Sequence, residues 1–250
     1  MKIFESHTHL DNPKFDKDRR QVVDNCKNAG ISRMINVSCD AKTLKDSIKL
    51  AEEYDFIYAT AGFHPHDATQ LDLDMVRKAA AHPKVVAIGE IGLDYFRDIS
   101  PRDVQRDAFR RQLELAMELN MPIVIHDRDA HEDVLAILQE YKPSKVVFHC
   151  FAGDYFMAQQ IIELGWHISF TGNITYKNST LTDIIRMVPD DRYFVETDSP
   201  YLTPHPHRGK RNDPSMLRYI IEEIAQIRYQ TPKTIAQQSF ENASLFFNIK

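Results

Sequence analysis

The chain has 250 residues, with only Gly 8 and Pro 12 and a hydrophobic share of 43%, which excludes collagen-like, linker-like and disordered polypeptides. Lys plus Arg number 31 against Asp plus Glu 36, a net charge of −5, so a polyanionic partner has to be drawn by a local basic loop or by bound cations. Cys26, Cys39 and Cys150 are odd in number and widely spread, the N-terminus meets charge and histidine before an apolar leader can form, and no run approaches ~20 apolar residues; the sequence reads as cytoplasmic, with no membrane partner.

Along the chain, eight short apolar, β-rich runs are each followed by a segment of helical spacing. The first run, 2–9, ends in His7-Thr8-His9, and a helix predicted over 16–29 is closed by Gly30, a residue free to take positive φ. Runs 33–39, 57–64 and 85–94 follow. Ser100-Pro101 then opens a helix, with Ser as N-cap, Pro at the first helical position and Phe109, Leu113 and Ala116 on one face. After runs 122–127, 145–150, 167–172 and 193–200, Asp213-Pro214 opens a helix whose stripe is Leu217, Ile220, Ile221 and Ile224, and Thr231-Pro232 opens the last one. Continuous apolar runs such as Val85-Val86-Ala87-Ile88 imply parallel strands covered on both faces. The expected fold is α/β, a (β/α)8 TIM barrel forming a single domain over 1–250, with a doubly wound open sheet as the alternative.

Chemistry-bearing residues gather where these runs end. His7 and His9 lie two apart and so share a strand face. Gly62-Phe63-His64-Pro65-His66, Gly89-Glu90-Ile91-Gly92, His126-Asp127, His149-Cys150 and Glu196-Thr197-Asp198 end other runs, the last expected to put two acids on one face. His82, His131 and His167 fall elsewhere and are assigned ordinary structural places. In a barrel the strand C-termini converge on one mouth, where so many ionisable groups without a metal are expensive to bury. Four imidazoles and two carboxylates exceed the needs of one tetrahedral ion and suit two divalent cations. Glu90 is the natural bridge, since a carboxylate offers two oxygens; Asp198 then completes an ion with His7 and His9, leaving His126 and His149 for the other. The donor types accept Zn²⁺, Mn²⁺ or Mg²⁺ at different strengths, and availability decides among them.

The segment His207-Arg208-Gly209-Lys210-Arg211 is the densest basic cluster near this mouth, readable as a phosphate grip or as a solvated loop. Phe63, Tyr95, Phe96, Phe151, Tyr176 and Tyr201 also follow strands and either stack on unpaired bases or wall the pocket.

In combination, Ser6-His7-Thr8-His9-Leu10-Asp11, Gly62-Phe63-His64-Pro65-His66, Gly89-Glu90-Ile91-Gly92-Leu93-Asp94, Val124-Ile125-His126, His149-Cys150-Phe151 and Glu196-Thr197-Asp198-Ser199-Pro200-Tyr201-Leu202 resemble TatD-type deoxyribonucleases over almost the whole chain. The resemblance implies a metal-dependent hydrolase barrel that cleaves DNA phosphodiesters, often as a 3′ to 5′ exonuclease, with single-stranded or frayed 3′ ends as the expected partner. It carries the metal set onto His7, His9, Glu90, His126, His149 and Asp198, a phosphate- or water-contacting role onto His64, a supporting role onto Asp94 and a phosphate contact onto Arg208. Asp198, beside the attacking water, is the candidate to orient it or take its proton. Two rivals share the metal chemistry: an amidohydrolase or esterase acting on a small C–N or ester substrate, and a non-catalytic metal-binding interaction module.

Overall fold

The computed structural model describes residues 1–250. Its elements run β1 (Ile3–Thr8), α1 (Arg19–Asn28), β2 (Ile31–Asn36), α2 (Ala41–Glu53), β3 (Ile57–Ala61), α3 (Leu73–Ala80), β4 (Val85–Asp94), α4 (Arg102–Glu118), β5 (Ile123–Arg128), α5 (His131–Tyr141), β6 (Val146–Phe148), α6 (Tyr155–Glu163), β7 (His167–Phe170), α7 (Thr182–Met187), β8 (Tyr193–Val195), α8 (Leu217–Arg228) and α9 (Pro232–Phe246). The eight strands form one sheet in the order β1 to β8, and a parallel bridge between Thr8 and Ser199 links the end of β1 to the segment after β8. This is the expected (β/α)8 barrel. No helix is long and apolar enough to cross a membrane.

Contacts within the chain gather into two compact units, Met1–Ile35 with Gly153–Lys250, and Asn36–Ala152. In the first, all six residues of β1 are buried, as a strand covered on both faces requires, and Phe4 packs on Phe240 and Phe247 of the C-terminal helical region at 6.0 Å. His167 stacks on Phe194 at 5.0 Å, the structural place expected for it.

In the second unit, β4 carries the irregularity that serves the site. Ile88 pairs with Ile123 and Ile91 with Ile125, so two residues, Gly89 and Glu90, stand opposite the single Val124. Such a bulge re-aims a side chain, here that of Glu90. Position 89 has to be glycine, because a Cβ there would lie 2.7 Å from Val124 Cβ. Gly92, at φ +142°, brings β4 so close to β5 that a Cβ would lie 1.9 Å from the His126 carbonyl oxygen.

Helix starts depart from the sequence pattern in three places, one of them α8, which begins at Leu217 after a 3-10 turn over Pro214–Met216 that Asp213 caps. Residues 13–15 form a 3-10 turn and α1 begins only at Arg19, not at 16. Ser100 does not cap α4: Pro101 is the N-cap residue, and the Ser100 hydroxyl donates instead to the His66 carbonyl at 2.8 Å, a tertiary bond that outcompetes the local one. Thr231 does cap α9, accepting from Thr234 N, and Gly30 takes φ +89° directly after α1.

Candidate active site

In the first unit the sequence places His7 inside β1 and His9 just past its end. Their Nε2 atoms lie 3.3 Å apart, and Asp198 Oδ1 lies 3.8 Å from the first and 3.4 Å from the second. A tetrahedral ion with bonds of ~2.0–2.1 Å sets its ligand atoms about 3.3 Å apart, so these three atoms fit the face of a divalent-cation cage. Asp198 reaches them by a left-handed turn at φ +53°, its own N–H donating to the His7 carbonyl at 3.0 Å. β8 ends at Val195, before either acid, yet both approach His7: a Glu196 carboxylate oxygen lies within 4.8 Å of a His7 ring nitrogen, and Glu196 also accepts from Ser6 Oγ at 3.3 Å.

One brace of this cluster escaped the sequence reading. Glu5 is fully buried, and its Oε1 accepts from the backbone N–H of His7 at 3.2 Å and of Thr197 at 2.9 Å, pinning together the two segments that carry His7 and Asp198. Burial pushes its carboxyl well above the usual range despite those two hydrogen bonds. A carboxylate two residues before His7, and so on the same strand face, was the available signal.

In the second unit, Glu90 Oε1 lies 2.6 Å from His126 Nδ1 and 2.7 Å from His149 Nε2, and the two ring nitrogens are 3.4 Å apart. This N–N distance again matches the edge of a metal tetrahedron. Burial works against a charge on Glu90, but the surrounding imidazoles of His149 and His64 and the hydrogen bonds to His126 and His149 outweigh it and hold the carboxyl well below its ordinary range. The other nitrogen of His126, Nε2, lies 3.1 Å from Asp94 Oδ2, which His66 Nε2 also approaches at 2.9 Å. Asp94 is fully buried; its Oδ1 accepts from Arg97 N at 2.7 Å. Although burial opposes it, the bonds to His126, His66 and Arg97 keep Asp94 far below the ordinary carboxylate pKa. An ionised Asp94 accepts the His126 Nε2–H, so Nδ1, which is hydrogen-bonded to Glu90 here, is the nitrogen that would give up its proton to a cation beside Glu90 and His149. His66, which sequence reasoning quoted in its motif and gave no task, is thus the second donor to this carboxylate.

His64 is buried, with Nε2 3.7 Å from Glu90 Oε1. Its Nδ1 accepts from His66 N at 3.1 Å, so the neutral ring carries its proton on Nε2. Desolvation, with His126 nearby, pushes its pKa well down and keeps it neutral. The arrangement provides an N–H donor rather than a cation.

The basic loop is less uniform than its sequence. Arg211 is held bidentately by Asp18 at 2.7 and 2.8 Å and lies over Phe15. Arg208 is parked on Tyr176, 3.9 Å above the ring and 2.6 Å from its hydroxyl, with no carboxylate partner. Among the aromatics, Phe63 and Phe151 are buried core residues, whereas Phe96 and Tyr201 are 58% and 46% exposed.

Strand-end imidazoles and carboxylates spaced for cations, on a parallel eight-stranded barrel, define a metal-dependent hydrolase. The family model described as TatD related DNase matches residues 4–248, and the chain belongs to that family. It is 43% identical to an uncharacterized metal-dependent hydrolase of Bacillus subtilis, YabD, over 99% of both chains. It is 38% identical to the 3′-5′ ssDNA/RNA exonuclease TatD of a Rahnella species over 98% of both chains. The crystal structure of YjjV, a TatD homologue from Escherichia coli, superposes with a TM-score of 0.94 at 29% identity, covering 99% of this chain and 98% of that one.

Proposed function

We propose that the enzyme hydrolyses phosphodiester bonds of DNA from the 3′ end, acting on single strands or frayed ends, with two divalent ions. His7, His9 and Asp198 would hold one ion, and Glu90, His126 and His149 the other. The observation that carries this reading is the pair of ligand groups whose nitrogens stand 3.3 and 3.4 Å apart, in a chain of the TatD-related family. When bound, such ions neutralise phosphate charge and lower the pKa of water; Zn²⁺, Mn²⁺ and Mg²⁺ all suit the donors.

The chain's own residues do the rest. Asp198 orients the attacking water and accepts its proton. His64 donates its Nε2–H to a phosphate oxygen, a role supported by its fixed tautomer. Arg208 leaves Tyr176 to grip a phosphate, its planar fork matching two oxygens. Water adds across one P–O bond, giving a phosphomonoester and a hydroxyl. A cytoplasmic place fits three cysteines too irregularly spaced for a disulfide framework.

The test is incubation of 5′-labelled single-stranded DNA, blunt duplex and a panel of amides and lactones with Mn²⁺, Mg²⁺ or Zn²⁺. The expected result is a ladder shortening from the 3′ end of the single strand, abolished by chelator. Metal-dependent loss of the amides beside intact DNA overturns the proposal in favour of an amidohydrolase.

A further inference from the structure

The loop after β4 and the end of β5 carry a second feature that the catalytic residues do not use. Phe96 is 58% exposed, two residues past Asp94, and the guanidinium of Arg128 lies 4.0 Å from its ring centroid. Arg128 is the last residue of β5, paired in register with Asp94, and stands two positions beyond His126, about 6.5 Å of strand. Arg97, beside Phe96, is exposed too. Neither Arg97 nor Arg128 has a carboxylate partner, whereas Arg102 is paired with Asp98 at 2.8 Å and Arg106 with Asp133 at 3.5 Å. Tyr95 is tied to Asp133 through its hydroxyl at 2.5 Å. The loop therefore holds its other charges internally and leaves one aromatic face and two guanidiniums to solvent.

An exposed phenylalanine costs solubility and gains nothing from the core. Here a cation lies over one of its faces, which leaves the ring's second face and the guanidinium's outer edge available. That pairing has the chemistry of one nucleotide: a base on the ring, a phosphate on the fork. We propose that Phe96, Arg128 and Arg97 form a nucleotide subsite for single-stranded nucleic acid, stacking an unpaired base while the two arginines hold the adjoining phosphates. The subsite rests on the nuclease reading above and adds to it a reason for preferring unpaired strands: every base has a π-face to stack, and a paired base in a duplex does not present it. Recognition is correspondingly indifferent to sequence.

The experiment uses phosphorothioate-linked octathymidylates, which resist cleavage, with 2-aminopurine placed in turn at each of the four 3′-terminal positions. Binding by the metal-loaded protein is followed through 2-aminopurine quenching and through anisotropy of a 5′ dye, with cleavage of ordinary DNA measured alongside. Quenching is expected at one position for the unaltered chain and for Phe96→Tyr, and lost in Phe96→Ala with a rise in Kd of about 5- to 150-fold, the loss of one base–aromatic stack. Arg128→Ala is expected to weaken binding and to shrink the salt slope by ~0.7 per lost phosphate contact. If Phe96→Ala quenches and binds like the unaltered chain, which itself degrades DNA, the subsite is refuted and the nuclease stands. If the unaltered chain neither binds nor cleaves single strands, both fall together.

Discussion

Replacing Asp94 with Asn changes one charge in a fully buried carboxylate and leaves its shape. Oδ1 is fixed by the Arg97 N–H at 2.7 Å, so the amide oxygen of Asn settles there and its NH2 faces the two imidazole nitrogens now at 2.9 and 3.1 Å. His126 Nε2 then has to become an acceptor, which moves its proton to Nδ1, the atom 2.6 Å from Glu90 and 3.4 Å from His149 Nε2. A protonated Nδ1 has no lone pair for a cation. Losing the partner that orients a metal-binding imidazole weakens metal affinity roughly 10- to 100-fold, or about 1.4–2.7 kcal/mol. Calorimetric titration of Mn²⁺ into chelator-stripped protein at neutral pH is expected to show two binding phases, of which only one weakens in Asp94→Asn, because His7, His9 and Asp198 are untouched. Two unchanged phases, or an equal loss in both, would refute the reasoning about the tautomer.

His126→Ala and Asp198→Asn are each expected to abolish turnover with the circular dichroism spectrum unaltered; retained activity removes the role given to that residue. Arg208→Ala should raise KM for oligonucleotide and reduce its salt dependence by ~0.7 in log–log slope, as one phosphate contact is lost; an unchanged slope counts against the grip. Glu5 holds a proton more tightly folded than unfolded, so its contribution to stability falls as pH rises from the ordinary carboxylate range towards its raised pKa. Glu5→Gln keeps the size and an acceptor oxygen, so with chelator present its Tm should exceed that of the unaltered chain by a margin that widens from pH 4 to pH 8; a margin independent of pH contradicts the assignment. Gly92→Ala, whose Cβ would sit 1.9 Å from the His126 carbonyl oxygen at a φ of +142°, should cost about 2–5 kcal/mol in urea unfolding and reduce metal binding at His126. Unfolding at the usual urea midpoint would show that β4 and β5 adjust freely.

The barrel was legible because its physics is local and repeated: an apolar run, a turn, a helical stripe, eight times over. The strand-end residues were legible for the same reason, since a histidine placed after an apolar run is placed at the rim. What escaped was whatever the chain decides at a distance. Ser100 offers a sound N-cap pattern, yet its hydroxyl is claimed by His66, a partner 34 residues away. Glu196 and Asp198 look alike in spacing, and the left-handed turn at Asp198, which brings it to both His7 and His9 while Glu196 stands beside His7, is not written in the local pattern. The resemblance singles out Arg208, but nothing in the local sequence shows that Asp18 takes Arg211. The bulge at Glu90 was the least visible, because Gly89 and Gly92 mark a close strand approach only once the neighbouring strand is known.

Anomalous diffraction from crystals grown with Mn²⁺ tests the proposed pair of ions most directly. Two peaks per chain are expected, one against His7 Nε2, His9 Nε2 and Asp198, the other against Glu90, His126 Nδ1 and His149 Nε2. A single peak, or peaks away from these side chains, would contradict the account.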